Sequence, residues 1–483
     1  MYKTLLISFL LSFPLSSYAQ TKIEAALKSF ENDNELKYAS IGFCAIDINT
    51  NQIYAQRSPN RALIPASSMK VITTGSALAI LGSDYKFKTY LEYSGSISNG
   101  TLNGNLYIRG TGDPSLASPI MEEVPTKEAL MAEFVAVIKK AGIQKINGAI
   151  VGDGSFFDDQ VMIPTWQWGD IGNHYGAGTS GLNYHDNLYY IHFKQARDYG
   201  ATPTVDHTVP NIPQLKFDNR VTSAGSRTGD NAYVYAAPYG TEVTLRGTIP
   251  KGSGWFDIKG ATPDPSLLCA HDLRNALITE GIPVSKKETT QRLLKDKNAR
   301  RKIHTHFSPS MTAICKHTNE DSRNMYCEAL LKAIGAKVKG LGSTENGIAA
   351  VTDFWRSRGL DMSGFFMKDG CGLSARNGVS PKTFAEIMRK MYIDKKTFGD
   401  FYNQMAIAGR TGTLRNMCRN SSAENNVRAK SGSMNRIRSY TGFVTTKGGK
   451  KLAFSMIVNN YSCSGYMMKK KLETLMIALA ESN

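Results

Sequence analysis

The chain has 483 residues, 41% hydrophobic and 20% charged, and its 58 basic and 41 acidic side chains leave a net charge of +17. That length exceeds one ordinary core and predicts two or three domains, and the composition is that of a globular chain, which excludes a disordered or fibrous one. The charge favours an acidic partner or surface, with nucleic acid disfavoured because no recognisable binding motif is present and because the chain carries an export signal.

Residues 1–19 read as that signal. Lys3 supplies a basic start, an apolar run covers 5–15, and Ser17–Tyr18–Ala19 places small residues where a signal peptidase reads them. The run is too short to span a bilayer, and no later stretch approaches the roughly 20 apolar residues of a membrane helix. The expected mature chain is exported to the periplasm, is cut near Ala19 and has no stable membrane insertion.

Residues 41–56 alternate around a turn at 47–51 and predict a β-hairpin. Ser67 opens the next element. Residues 71–81 carry no charge and end at Gly82, which predicts a buried central helix with a glycine cap. Residues 87–110 are β-like and turn-rich, 126–142 form an amphipathic helix and 143–151 a strand. The stretch 152–261, rich in Gly, Pro and Tyr, reads as inserted β structure. Helical periodicity returns at 267–280, 310–317, 322–334, 345–357 and 381–392. Strands at 440–446 and 451–459 and a helix at 465–480 close the chain.

The seven cysteines lie far apart with no CxxC, and an odd number leaves at least one thiol unpaired even where disulfides are permitted. His304–Thr305–His306 is the nearest approach to a metal pair, and neither metal nor cofactor is expected.

Chemistry concentrates in three short motifs. SxxK occurs at Ser67–Lys70 and at Ser83–Lys86. Only the first opens a helix, where residues three apart share a face and Lys70 sits over Ser67. The helix N-terminus favours the alkoxide of such a serine. A lysine deprotonates a serine only if burial or a second cation lowers its own affinity for the proton. Lys430–Ser431–Gly432–Ser433, the sole K[ST]G, supplies that second cation ahead of the last strands. Of three SxN matches, Ser322–Arg323–Asn324 opens a helix at the right place in the order. SxxK, SxN and K[ST]G in this order mark β-lactamases and penicillin-binding proteins.

Longer segments narrow the resemblance. Residues 65–74 (Pro-Ala-Ser-Ser-Met-Lys-Val-Ile-Thr-Thr), 81–87 and 104–114 resemble the class C low-molecular-mass penicillin-binding proteins, which are D-alanyl-D-alanine carboxypeptidases and endopeptidases. Trp166–Gln167–Trp168, Asp369–Gly370–Cys371–Gly372 with Arg376–Asn377, and Gly412–Thr413–Leu414 extend it across about 41–460. The resemblance implies an α/β (α+β) fold, with a transpeptidase core of antiparallel sheet flanked by helices. The gap between Lys70 and Ser322 far exceeds a helix-to-helix connection, and the family fills it with one or two nested β-rich insertions. The expected division is core over 20–88 and 265–483, with insertion over 89–264.

By resemblance, Ser67 is the nucleophile, Lys70 its base, and Ser322 with Lys430 the proton path to the leaving amine. Asn324, Ser431, Gly432 and Ser433 bind substrate, and the N–H groups of Ser67 and Ser433 form an oxyanion hole. Peptidoglycan stem peptides are the implied substrates and β-lactams the implied covalent inhibitors. An acidic side chain of the insertion is expected to grip the diamino acid, with no residue singled out. Ser431 stands for the commoner Thr, Arg323 for Asp, and Cys371 for Ser, the last a candidate for oxidation. A β-lactamase with the same motifs is the main rival, and the insertion argues against it. The balance of carboxypeptidase and endopeptidase action and the oligomeric state stay open.

Overall fold

The computed structural model describes residues 22–212, 214–293 and 299–483. The export signal expected at 1–19 lies outside them. No described helix is long and apolar enough to cross a membrane.

Both chain ends build one antiparallel five-stranded sheet, in the order Arg428–Met434, Ile437–Thr445, Lys451–Asn459, Ser40–Asp47, Ile53–Arg57. Lys451–Asn459 lies centrally and is buried on both faces, and its period of two serves two layers. Leu452, Phe454, Met456 and Val458 meet Ile23 and Leu27 of the helix Lys22–Glu31 and Leu472, Leu475 and Leu479 of Gly465–Ala480. Ala453 and Ile457 face the other layer, formed by the helices Lys70–Leu81, Asn324–Lys339 and Pro381–Ile393. The last helix starts with a Ser380 cap and Pro381. It packs so close to the sheet that a Cβ on Gly42 would stand 2.7 Å from Pro381 Cγ. The sequence reading missed Lys22–Glu31.

The central helix is buried from Lys70 to Leu78, as its apolar surface predicts. Its polar side chains stay satisfied: Thr74 and Ser76 donate back to the carbonyls of Lys70 and Ile72, and Trp355 Nε1 donates to Ser76 Oγ at 2.9 Å. Gly82 ends the helix at φ 101°.

A second, mixed five-stranded sheet runs Thr289–Gln291, Ile150–Asp153, Leu106–Gly110, Lys88–Tyr93, Arg301–Phe307. Helices Lys127–Lys140 and Pro265–Thr279 share its apolar core through Leu130, Phe134, Leu268 and Leu273. Packing of Pro265–Thr279 and strand pairing of Thr289–Gln291 and Arg301–Phe307 therefore join these elements to the second sheet, although the sequence assigns them to the core. An amphipathic helix looks the same whichever sheet it covers, which is why the pattern did not reveal this. Between the strand Ile150–Asp153 and the helix Pro265–Thr279 lie two three-stranded sheets, built from strands between Leu188 and Ala261, with Tyr189, Ile191, Phe193, Val221, Leu245 and Ile258 between them.

All seven thiols are free, and all but that of Cys463 are buried. His304 and His306 both face one oxygen of Glu133, at 2.7 and 3.2 Å.

Candidate active site

Ser67 does not open the α-helix directly. It sits in a 3-10 turn, Ala66–Met69, that feeds the α-helix beginning at Lys70. In a 3-10 turn residues i and i+3 eclipse, so Lys70 still lies over Ser67, and its Nζ donates to Ser67 Oγ at 3.0 Å. Its other two N–H directions go to Asn324 Oδ1 at 2.6 Å and the Cys371 carbonyl at 2.7 Å. Three partners exhaust an ammonium's donors, and the side chain is fully buried.

Distant segments brace the nucleophile turn. The Asn459 side chain bonds both the N–H and the carbonyl of Ile64. Ser439 Oγ donates to the Pro65 carbonyl and meets Ser68 Oγ at 2.8 Å. The strand Arg428–Met434 runs alongside, and a Cβ on Gly432 would fall 2.2 Å from Ser439 Oγ and 2.5 Å from the Pro65 carbonyl. Only glycine lets that strand lie so near Ser67. It is also the edge strand of its sheet; residues 406–408 pair with its Arg428 end, and beyond Ala429 its outer backbone groups can pair with an extended peptide.

Lys430 lies on this strand, fully buried. Burial first, and then the charge of Lys70, hold its ammonium well below the ordinary lysine value. Its Nζ donates to the Ser431 carbonyl at 2.9 Å. The expected bond from Lys430 to Ser322 is not made. Ser431 Oγ donates to Thr413 Oγ1 at 2.8 Å, which adds Thr413 to this end of the site. Ser433 follows on the strand and is exposed.

The SxN segment differs from expectation in one respect. The helix begins at Asn324, and Ser322 stands before it at φ 62°, where an L-residue is strained by roughly 1–3 kcal/mol. Asn324 bonds Lys70 through Oδ1, and its Nδ2 donates to the Tyr175 carbonyl at 2.7 Å. Arg323 turns away toward Asp186, at 3.7 Å.

The insertion forms one wall. Besides Tyr175, Thr165 Oγ lies 2.7 Å from Ser374 Oγ, Trp166 Nε1 donates to Asp369 Oδ2 at 2.8 Å, and Tyr326 donates to Asp186 at 2.7 Å. Burial holds the His174 imidazole down to about 4, so it stays neutral near pH 7. Sequence reasoning missed Tyr175 and the Cys371 carbonyl, since backbone acceptors leave no residue signature. Cys371 is fully buried, and desolvation with the nearby carboxylates Asp369 and Glu328 raises its thiol. The oxidation expected there is opposed, because the reactive species is an accessible thiolate.

Glu328, Asp369 and Cys371 bring donor atoms within 4.8 Å of one another. Their carboxylate oxygens already accept N–H groups: Glu328 from Gly370 and Cys371, Asp369 from Gly372, Ser374, Trp166 and Asn377. The two carboxylates thus brace the backbone of the 369–374 loop.

A serine and a lysine on one turn, an asparagine on a second helix and a buried lysine on an edge strand define the penicillin-binding class of serine hydrolases. The chain belongs to the D-Ala-D-Ala carboxypeptidase 3 (S13) family, whose model matches residues 23–482. It is 27% identical to D-alanyl-D-alanine carboxypeptidase DacB of Haemophilus influenzae, over 97% of this chain and 95% of that one. It is 25% identical to the D-alanyl-D-alanine carboxypeptidase of an Actinomadura species, over 92% and 82%. The crystal structure of penicillin-binding protein 4 (dacB) from Haemophilus influenzae superposes with a TM-score of 0.79 at 24% identity, covering 94% of this chain and 98% of that one. The protein is thus a serine-type D-Ala-D-Ala peptidase with the α/β fold of that class.

Proposed function

We propose that this D-Ala-D-Ala peptidase works through an acyl-enzyme on Ser67, and that the division of labour follows the cleft. Once Lys70 has given up one proton, it keeps Asn324 Oδ1 and the Cys371 carbonyl as its acceptors. It takes the Ser67 proton on the freed lone pair, and Oγ attacks the carbonyl joining the last two D-Ala residues. The N–H groups of Ser67 and Ser433 receive the oxyanion, where loss of one donor typically costs about 3 kcal/mol. The substrate strand pairs with the edge of Arg428–Met434 beyond Ala429, and Asn324 holds its amide. Lys430, Ser431 and Thr413 take the terminal carboxylate. Ser322 passes a proton to the leaving amine, coming within reach of Lys430 when substrate displaces that lysine from the Ser431 carbonyl. Water then releases the acyl group.

The contact of Lys70 Nζ with Ser67 Oγ at 3.0 Å, beside a second buried amine, carries this reading. The same carbonyl-and-carboxylate geometry makes β-lactams covalent inhibitors. A Haemophilus influenzae neighbour has been solved as a β-lactam complex, which supports this. The substrates are peptidoglycan stem peptides and, where the leaving group is a cross-bridge amine, cross-links. The export signal would deliver the chain to the periplasm, where that polymer lies. Ser67→Ala is expected to abolish both peptidase activity and covalent penicillin labelling, as read by mass spectrometry of the protein and of purified muropeptides. Retained labelling would refute the assignment.

A further inference from the structure

Lys70 takes its third partner, the Cys371 carbonyl, from a loop that belongs to no helix or strand. Side chains of the surrounding core hold that loop. Glu328 Oε1 accepts the Cys371 N–H at 2.7 Å, and Oε2 accepts the Gly370 N–H at 3.1 Å. The Gly370 carbonyl, at the other end of the 370–371 peptide, accepts from Thr73 Oγ1 at 2.8 Å and Cys327 Sγ at 3.0 Å. Asp369 Oδ1 accepts the N–H of Gly372, whose peptide bears the carbonyl that meets Lys70. Glu328 lies one turn beyond Asn324 on the same helix, so one rigid element sets two of the three partners of Lys70. A carboxylate without a positive partner is costly to bury, and the two N–H bonds are what this one receives.

Resting on the reading of Lys70 as the base, we propose that Glu328 is a positioning residue for acylation, its ionised carboxylate holding the 370–371 backbone so that the Cys371 carbonyl aims Lys70 at Ser67. The titratable groups facing it are Asp369 and Cys371 from the loop and Cys327 from its own helix. Burial, reinforced by the charge of Asp369, pushes its carboxyl up to about 7. Ionised Glu328 accepts both N–H groups. As pH falls through that value it gains a proton, turns an O–H toward N–H donors and loses one of the two bonds. Gln at 328 sets its own NH2 against one of those donors at every pH.

The test is the rate of acylation by a fluorescent penicillin, measured on the full chain across the neutral range for wild type, Glu328→Gln and Ser67→Ala, with thermal melting of each. Glu328→Gln is expected to slow acylation by up to about 100-fold, to reach the same one-label endpoint, and to lack the wild-type fall-off near pH 7. A wild-type rate and pH profile in E328Q, with S67A unlabelled, overturns the positioning role alone. So does a loss that disappears once the rate is normalised to the folded fraction. Labelling of S67A overturns the parent reading, and this one with it.

Discussion

The pattern Ser-x-x-Lys occurs twice, at Ser67–Lys70 and at Ser83–Lys86, and the two copies end in opposite circumstances. The first lies in a 3-10 turn with its lysine fully buried and bonded to Ser67, Asn324 and the Cys371 carbonyl. The second lies beyond Gly82, with Lys86 exposed and the Ser83 carbonyl occupied by the N–H and hydroxyl of Thr312. Two copies of one four-residue pattern thus differ through what remote segments bring to them. The first copy receives an asparagine, a backbone carbonyl and a second amine, and the second receives none of the three.

The comparison is broken most sharply at that second amine. Lys430→Met is expected to lower acylation by about 10³-fold while raising the melting temperature, by an amount equivalent to roughly 0.5–2 kcal/mol. An ammonium pushed well below its ordinary value is bound less tightly in the native state than in the unfolded one. Its contribution therefore grows as pH rises toward 10.5, and the methionine variant should flatten that slope. Wild-type labelling in Lys430→Met would place the reactive environment elsewhere. Gly432→Ala tests the approach of the edge strand: its methyl would collide with the Pro65 carbonyl, and a loss of about 100-fold in acylation is expected, with about 1–3 kcal/mol of stability. Ser83→Ala and Lys86→Ala should leave labelling unchanged and stability within about 0.5 kcal/mol. A measurable effect on labelling there would undo the contrast.

Much of this was legible because local patterns and remote partners agreed. The buried helix after Ser67, the hairpin at 41–56 and the closing strands follow from periodicity and turn residues, and the order of Ser67–Lys70, Ser322–Asn324 and Lys430–Ser431 pointed to one cleft. What escaped was carried by backbone or by context. The Cys371 carbonyl has no side-chain signature, and the left-handed Ser322 has no compositional one. Glu328 reads as one more polar residue on an amphipathic helix until its two N–H partners are seen. The helix Pro265–Thr279 has an apolar stripe that suits either sheet, so the sequence could not say which one it covers.

The core sheet joins Ser40–Asp47 to Lys451–Asn459, and the turn bearing Ser67 is tied to Ser439 across nearly the whole chain. Such pairings close only after a long loop has been gathered in, whereas the second sheet, though it too closes a long loop between Lys88–Tyr93 and Arg301–Phe307, has all its strands ahead of Ser308. The wall of the cleft can therefore mature while the cleft itself is still open. A chain whose synthesis halts before Arg428 would display that wall and the first serine–lysine pair, yet lack the other amine altogether. With Lys430 acting as proposed, the hydrolase is latent until its final strands dock, and its own topology times the onset of reactivity.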